Sequence, residues 1–266
     1  MAADERAIHE DFTTPPADRW KQYVLGSGSL EATGHTLLFI NNRTSTRRYT
    51  NAQIDDYQGL ARGHFRWRPP LRMTVRARFS HGAGELSGTA GFGFWNDPFM
   101  MTSRRMPTLP RVVWFFYASP PSNMKLDVNT PGHGWKAATL DARRWPFFLL
   151  APTAPLAVPL MNVRRLYRLL WPTAQRSMGV SETALEIPMT DWHTYVIEWG
   201  TEHASFSVDG GLVLKSERSP KGALGLVLWL DNQYAVVTPW GRFGYGLLES
   251  PERQWMEVDS LSIEPG

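Results

Sequence analysis

The sequence predicts an all-β fold, a jelly-roll β-sandwich that carries one partly helical, apolar insertion. Short apolar runs, several of them alternating with polar residues, recur along the 266 residues, which is the pattern of half-buried strands. Turn-forming residues separate the runs, among them 22 Gly and 20 Pro. The 12 Trp, 13 Phe and 8 Tyr supply enough apolar volume for a sizeable core. The length suits one large sandwich, so a single domain over residues 1–266 is predicted.

Two predicted strands differ in the cover that they need. In 71–79, Leu71, Met73 and Val75 alternate with arginine and threonine, so one face is apolar and the other is in contact with water. In 111–117, which reads RVVWFFY, both faces are apolar, so both must be covered. Further strands are predicted at 37–41, 89–95, 124–128, 192–199, 204–208, 224–230 and 255–263.

Residues 145–180 interrupt the β pattern with an apolar, proline-rich stretch. Leu160, Val163, Tyr167 and Leu170 recur at helical spacing, which predicts a short helix. No run of about 18 uninterrupted apolar residues occurs, so the segment is not expected to span a membrane. Three interpretations stay open: a loop and helix docked on the sandwich, a lid over an apolar cleft, or a basic amphipathic patch at 160–170 in peripheral contact with a membrane.

The charge balance gives no reason to expect a nucleic-acid partner. The formal net charge is +3, from 28 basic and 25 acidic residues, and the local basic runs lack patterned aromatic residues. The sequence has no cysteine, so disulfides and thiolate zinc sites play no part. The acidic start MAADERAIHEDF lacks the features of a secretory signal, so a cytoplasmic location is expected, with a removed signal segment as the alternative. Nothing in the sequence indicates the oligomeric state.

A family resemblance rests on two pairs of strand motifs. The run WHTYVIEW at 192–199, followed by FSVDG at 206–210, resembles the paired strands near the end of glycoside hydrolase family 16. Earlier, VRARF at 75–79 followed by GFW at 93–95 resembles two further strands of that family in the same order. The resemblance implies the concanavalin A-like jelly roll of lectins and glucanases over most of the chain.

The strand that carries the chemistry of that family differs here. The resemblance implies a strand reading E-x-D-x-(x)-E, and retaining hydrolysis needs two carboxyl groups about 5 Å apart. The corresponding strand, 112–117, reads VVWFFY and contains no acid. Hydrolysis by the family mechanism is therefore not expected. The apolar replacement favours a ligand of low polarity, since the hydroxyl groups of a sugar would lack partners there.

Aromatic and polar side chains near this strand are the candidate walls of a ligand cleft. By alternation Trp229, Asp231 and Gln233 share one face at the end of an apolar strand. They are interpreted either as the polar foot of an aromatic wall or as an ordinary strand end. The candidate ligand-binding residues are Trp95, Trp114, Phe115, Tyr117, Trp135, Trp229, Asn232 and Gln233.

The candidate catalytic residues are Asp97, Asp231 and His133. Burial at the edge of an apolar cleft disfavours the charged form of a carboxylate, which is how such a group can deliver a proton. An acid pair requires that Asp97 and Asp231 converge within about 10 Å. The alternatives are a turn cap for Asp97, a strand end for Asp231 and a solvated loop for His133.

Three functions remain open at this point. The first is binding of an apolar or aromatic small molecule, with acid-assisted isomerisation, cyclisation or hydration as the chemistry. The second is a non-catalytic carbohydrate- or lipid-binding module. The third is a glycosidase with displaced carboxylates, for which Asp97, Asp127 and Asp231 are the available acids. No cofactor is expected and no residue is assigned to a metal, with a structural calcium held by backbone carbonyl oxygens as the alternative.

Overall fold

The computed structural model describes residues 7–13, 19–99 and 106–266, which form mostly antiparallel strands. In chain order the strands are β1 (Ile8–Glu10), β2 (Lys21–Gln22), β3 (Gly28–Ala32), β4 (Leu37–Thr44), β5 (Asn51–Asp55), β6 (Leu71–Phe79), β7 (Thr89–Trp95), β8 (Arg111–Ala118), β9 (Gly134–Asp141), β10 (Ser181–Ala184), β11 (His193–Trp199), β12 (Ala204–Val208), β13 (Gly211–Ser216), β14 (Gly225–Asp231), β15 (Gln233–Val237), β16 (Phe243–Leu247) and β17 (Ser250–Pro265). Three α-helices, α1 (Trp145–Leu150), α2 (Ala154–Leu160) and α3 (Arg164–Ser177), lie between β9 and β10. The all-β prediction with a partly helical insertion is confirmed.

Sheet A has the strand order β13-β12-β11-β6-β17-β4-β3, with β1 paired to β17. Its strand β6 alternates as predicted, because the side chains of Leu71, Met73 and Val75 are buried while those between them face outward. The guanidinium groups of Arg76 and Arg78 lie 4.7 Å from the ring centre of Trp192 on that outward face. The strand pair β11–β12 lies in the same sheet, with β11 next to β6.

Sheet B has the strand order β10-β9-β8-β7-β14-β5-β2. Strand β8 lies between β7 and β9, with Trp114 opposite Gly93 on one side and Ala138 on the other. Residues that face each other across an antiparallel ladder point to the same side of the sheet. Every strand position in sheet B can therefore be assigned to the inner or the outer face.

The main hydrophobic core lies between the two sheets and takes residues from both. From sheet A it includes Phe79, Tyr195 and Phe206, and from sheet B it includes Phe92 and Phe115. The rings of Phe115 and Tyr195 are 5.0 Å apart at an angle of 62°, a T-shaped contact across the sandwich. The large aromatic content of the sequence is thus used first of all to fill this core.

One predicted strand is absent. Residues 124–128 form an irregular loop, and the strand that pairs with β8 is β9, which begins at Gly134. The loop is held by contacts outside the sheets, for example from Lys125 Nζ to the carbonyl of Thr130 at 2.9 Å. The short apolar run at 124–128 packs instead against helix α3, where Leu126 and Val128 contact the side chains of Tyr167 and Trp171.

Candidate functional site

The outer face of sheet B carries the outward side chains of β8, the strand that the sequence resemblance matches to the acid-bearing strand. Along β8, Val113, Phe115 and Tyr117 point into the core and are fully buried, so Val112, Trp114 and Phe116 point outward. None of the three outward positions carries a carboxylate. The expectation of a strand without acids is met at the level of the individual side chains.

Two glycines in β7 make room for aromatic rings on this face. A Cβ atom at Gly91 would lie 2.9 Å from Cη2 of Trp229, and one at Gly93 would lie 2.6 Å from Cβ of Trp114. The indole of Trp229 therefore lies over β7 and reaches β8, where its ring centre is 5.4 Å from that of Trp114 and 5.9 Å from that of Phe116.

We call the cluster formed by Trp95, Trp114, Phe116 and Trp229 the aromatic face. The rings of Trp114 and Phe116 stack at 5.0 Å with an angle of 15°, and Trp95 lies 6.1 Å from Trp114. Trp229 is buried, whereas the other three are partly exposed. The face is thus a continuous apolar surface that remains in partial contact with solvent.

One end of the aromatic face is covered by the loop that follows β5. Tyr57 and Phe65 from this loop are buried against it, and the Tyr57 hydroxyl accepts a hydrogen bond of 2.8 Å from Trp95 Nε1. The guanidinium of Arg62 donates to the carbonyl oxygens of Asn96, Asp97 and Met106. This arginine therefore joins the 57–65 loop to the chain that follows β7.

The polar side chains of Gln53 and Asp55, beside the aromatic face, are already hydrogen-bonded within the protein. Asp55 accepts bonds from the side chains of Gln53 and Gln58 and from the backbone N–H of Tyr57 and Gln58. Its burial raises the pKa of the carboxyl group. These groups have little hydrogen-bonding capacity left for a ligand.

Asp231 is the centre of a buried network at the other end of the aromatic face. Its carboxylate accepts bonds from the Thr89 hydroxyl at 2.8 Å, the Gln233 backbone N–H at 3.0 Å and the Tyr49 hydroxyl at 3.4 Å. The Thr89 hydroxyl in turn accepts a bond of 2.9 Å from Trp229 Nε1. The pKa of Asp231 is raised to about 6, and burial is the largest cause of this shift. The acid thereby fixes the position of the Trp229 indole.

Asp97 and Asp231 do not form an acid pair. Asp231 is opposite Thr89, the first residue of β7, while Asp97 lies two residues beyond Trp95, the last residue of that strand. Six residue steps of strand span about 20 Å. The predicted convergence within about 10 Å is therefore wrong. Because β7 and β14 are antiparallel, their C-terminal ends, which carry Asp97 and Asp231, lie at opposite edges of the sheet. Asp97 is buried with a φ of 44°, a conformation that aspartate tolerates in turns.

The opposite edge of the aromatic face is bordered by a buried ion pair that the sequence analysis did not single out. Lys136, opposite Phe116, lies 3.4 Å from the carboxylate of Glu182, and both side chains are more than nine-tenths buried. Burial lowers the pKa of Lys136 and raises that of Glu182. The charge of the nearby Asp127 also acts to raise the pKa of Glu182. The false strand at 124–128 hid this arrangement, because Lys136 was not recognised as part of β9.

Three of the predicted ligand-binding residues belong to the core. Phe115, Tyr117 and Trp135 are buried between the sheets and cannot line an outer cleft. Phe115 follows Trp114 directly, so alternation places the two on opposite faces. Phe116 was missed, although it shares a face with Trp114.

The remaining predicted residues divide into structural and accessible groups. Asn232 is buried, and its side chain bonds to the backbone of Thr50, Ser45, Arg48 and Leu248, so it joins loops. The Nε2 atom of Gln233 is buried and has no partner among the described residues. His133 is exposed on the loop before β9. Of the predicted aromatic residues, Trp95, Trp114 and Trp229 lie together.

The helices do not pack onto the aromatic face. Met161, Tyr167 and Trp171 form a separate apolar cluster with the 124–128 loop and with Trp240. Trp171 Nε1 donates to the carbonyl of Leu126 at 2.7 Å. The helices therefore stand beside the face, next to β9 and β10, and the interpretation of residues 145–180 as a lid stays a prediction.

Two further features concern the described ranges only. Within 7–13, 19–99 and 106–266, no three His, Asp or Glu side chains come together as a metal site would require. No helix there has the length and apolar character needed to cross a bilayer.

Comparison with solved structures identifies the fold. The chain is similar to a GlcNAcα1-4Gal releasing endo-β-galactosidase from Clostridium perfringens, with a TM-score of 0.55 and 13% identity over 98% of this chain and 62% of that one. It thus spans less than two thirds of that enzyme. It is also similar to a β-1,3-1,4-glucanase (lichenase) derived from a mouse hindgut metagenome, with a TM-score of 0.54 and 11% identity over 98% of this chain and 99% of that one. A third similar structure is an endo-1,3-β-glucanase from Streptomyces sioyaensis, with a TM-score of 0.54 and 13% identity over 99% of this chain and 98% of that one.

These similarities confirm the jelly-roll β-sandwich fold that the resemblance to glucanases implied. No protein-family model matches the sequence, and no curated protein matches it. Identities of 11 to 13% do not carry over an activity. The function must therefore be argued from the site itself.

Proposed function

We propose that the protein binds a ligand of low polarity on the aromatic face of sheet B and does not hydrolyse sugars by the retaining mechanism. The observation that carries this proposal is the set of outward side chains on β8. On the strand that the sequence resemblance matches to the acid-bearing strand, the outward side chains are Val112, Trp114 and Phe116, whereas a retaining enzyme needs two acids there. Apolar rings contribute binding free energy mainly by removing apolar ligand surface from water.

The polar surroundings support a ligand with few hydrogen-bonding groups. Gln53, Asp55 and Thr89 border the aromatic face, and each is engaged with other protein groups. A hydroxyl group that loses water and finds no partner costs about 1 to 3 kcal/mol. A sugar would carry several such groups onto the face, whereas an apolar or aromatic molecule would carry few.

The experiment is a fluorescence titration with Nile red, an uncharged apolar probe. It is done with a protein in which Leu149→Glu and Leu156→Glu remove exposed apolar side chains from the helices, because those side chains are a second place for the probe. In that background Trp114→Ala is expected to weaken probe binding at least about fivefold. Trp145→Ala is the matched control, since Trp145 is an exposed tryptophan outside the aromatic face, and it should change the affinity little.

Two results of this titration would reject the proposal. One is probe binding that Trp114→Ala leaves unchanged. The other is tighter, Trp114-dependent binding of a β-1,3-glucan oligosaccharide, which would assign the face to carbohydrate.

A second candidate function is glycoside hydrolysis by displaced carboxylates. It is favoured by the proximity of Asp127 and Glu182, which lie close enough beside the aromatic face for the charge of Asp127 to raise the pKa of Glu182. Release of reducing ends from a panel of β-glucans tests it. Activity that disappears in Glu182→Gln would support hydrolysis, and the absence of release by the unaltered protein would exclude it for those substrates.

A further inference from the structure

Residues 145–160 form an apolar segment with unusual exposure. The sequence WPFFLLAPTAPLAVPL contains no charged residue and only one polar side chain, Thr153. The structure folds it into α1, a turn of 3-10 helix and α2, and none of the three contains a buried residue. The exposed fraction is 71% for Trp145, 67% for Leu149 and 71% for Leu156. Exposure of so much contiguous apolar surface indicates an interaction site.

The charges around the segment all have one sign. Between Asp141 and Glu182 the sequence has six arginines, at 143, 144, 164, 165, 168 and 176, and no acid. Arg164, Arg165 and Arg168 lie in the first turns of α3, directly after the apolar segment. The ends of the segment are therefore positively charged while its middle is uncharged.

Two cavities beside the helices repeat this combination. One, of about 390 Å³, is lined by Lys125, Arg164, Arg168 and Arg242 together with Tyr167 and Trp240, and no acid lines it. None of the three arginines forms an ion pair within the described part of the chain. These guanidinium groups are available for an anion from outside.

The second cavity, of about 500 Å³, lies between α1 and α3. Its lining includes Arg144, Arg176 and Arg218 with Trp145 and Leu149, and again no acid. The Nη1 atom of Arg144 is buried and has no hydrogen-bond partner among the described residues. Each cavity thus combines cationic groups with apolar or aromatic side chains.

We propose that the helical segment 145–169 docks on a membrane surface that contains acidic phospholipids. The apolar segment enters the boundary between headgroups and acyl chains, and the arginines that flank it contact lipid phosphates. A segment of sixteen residues, fifteen of them apolar, is shorter than the roughly 20 residues that a spanning helix needs, so the segment lies in one leaflet. The docking surface is centred on 145–160, with Arg164, Arg165 and Arg168 at the headgroup level. This inference is independent of the ligand on the aromatic face.

Vesicle flotation of the whole protein tests the proposal. The protein is expected to float with vesicles of phosphatidylcholine and phosphatidylglycerol, to float less with phosphatidylcholine alone, and to dissociate partly at high salt. Leu149→Glu with Leu156→Glu should weaken binding at least about tenfold. Leu212→Glu is the matched control, because Leu212 is 62% exposed on sheet A, and it should leave binding unchanged.

Two further measurements separate insertion from adsorption by charge alone. Arg164→Glu with Arg168→Glu should remove the preference for phosphatidylglycerol, whereas Lys215→Glu on β13 should preserve it. Lipids with brominated acyl chains should quench the fluorescence of the unaltered protein more than that of Trp145→Phe, a conservative variant at an exposed position.

Three outcomes would overturn the proposal. The first is the absence of flotation with either vesicle, and the second is equal binding by Leu149→Glu/Leu156→Glu and the unaltered protein. The third is self-association in lipid-free solution that the same two substitutions abolish, without vesicle binding, which would assign the apolar segment to a second copy of the chain.

Discussion

The indole of Trp229 lies against the backbone of Gly91, so that a Cβ atom at residue 91 would be 2.9 Å from the ring and 2.3 Å from the carbonyl oxygen of Phe115. Gly91 is therefore needed both for the packing of β7 against β8 and for the position of the ring. The aromatic face can form because β7 has glycines at positions where its neighbours β8 and β14 carry large aromatic side chains.

Gly91→Ala is expected to lower the free energy of unfolding by more than about 2 kcal/mol, because the clash with Phe115 is with backbone and cannot be relieved by a side-chain rotation. Gly63→Ala is the control, since a Cβ atom there meets nothing within 4 Å and its φ is not positive. Urea unfolding of the two variants gives the comparison. Equal stability of both would contradict the described packing of β7.

Stability should also depend on the protonation of two buried aspartates. Burial raises the pKa of Asp231 and of Asp56 to about 6 in the folded protein, from an ordinary value of 3.8. Between these values the folded state binds more protons than the unfolded state, so the free energy of unfolding increases as the pH falls through 6 and decreases as it rises. Between pH 7.5 and pH 5 each group contributes about 1 kcal/mol in this direction.

Asp231→Asn removes one of these titrating groups. Urea unfolding at the two pH values should show that the variant gains less stability on acidification than the unaltered protein, by about 1 kcal/mol. The other titrating groups are common to both proteins and cancel in the difference. An identical pH dependence would mean that Asp231 is not buried as described.

Removing one partner of the ion pair of Lys136 and Glu182 is expected to lower the free energy of unfolding strongly, whereas replacing both partners by apolar residues should lower it little. Lys136→Met should destabilise the protein by about 3 kcal/mol, since it leaves a buried carboxylate without its partner, and Lys136→Met with Glu182→Met should recover most of this loss. A double-mutant cycle in urea measures the coupling. The exposed pair of Arg72 and Glu198 is the control and should give less than about 1 kcal/mol.

Asn232 and Gln233 are both predicted from the sequence to contact a ligand. Comparing the stability of the two alanine variants should show that Asn232 has a structural role instead. Asn232→Ala removes four hydrogen bonds to two loops and should lower the free energy of unfolding by about 2 kcal/mol or more. Gln233→Ala should cost far less, because its side-chain amide nitrogen has no partner among the described residues. A thermal melt of each variant tells them apart, and equal losses would count against the structural role of Asn232.

Much of the fold could be predicted because its strands alternate clearly. Three of the strands that carry the resembling motifs, β6, β11 and β12, lie in sheet A, and the fourth, β7, lies in sheet B, where the acid-free strand β8 departs from the family pattern. Strand β8 was recognised, but its inner and outer faces are both apolar, so composition alone could not say which side faces the core. The alternation of Gly91 and Gly93 with Phe92 and Phe94 in β7 is the signal that could have resolved this.

The geometry of the acids could not be read from the sequence. Asp97 and Asp231 both follow apolar strands, and their separation depends on the antiparallel pairing of β7 with β14, which no local pattern specifies. The ion pair of Lys136 and Glu182 joins two strands separated by the helices. Long-range pairing of this kind is decided by the packing of the whole sandwich.

If the aromatic face holds a ligand of low polarity, a crystal structure with such a ligand should show it on that face. Crystals soaked with bromonaphthalene, examined by anomalous diffraction at the bromine edge, would show the position of the bromine atom without reference to any variant. Bromine is expected in contact with Trp114 and Phe116. Bromine found only on the helices, with none on the aromatic face, would contradict it.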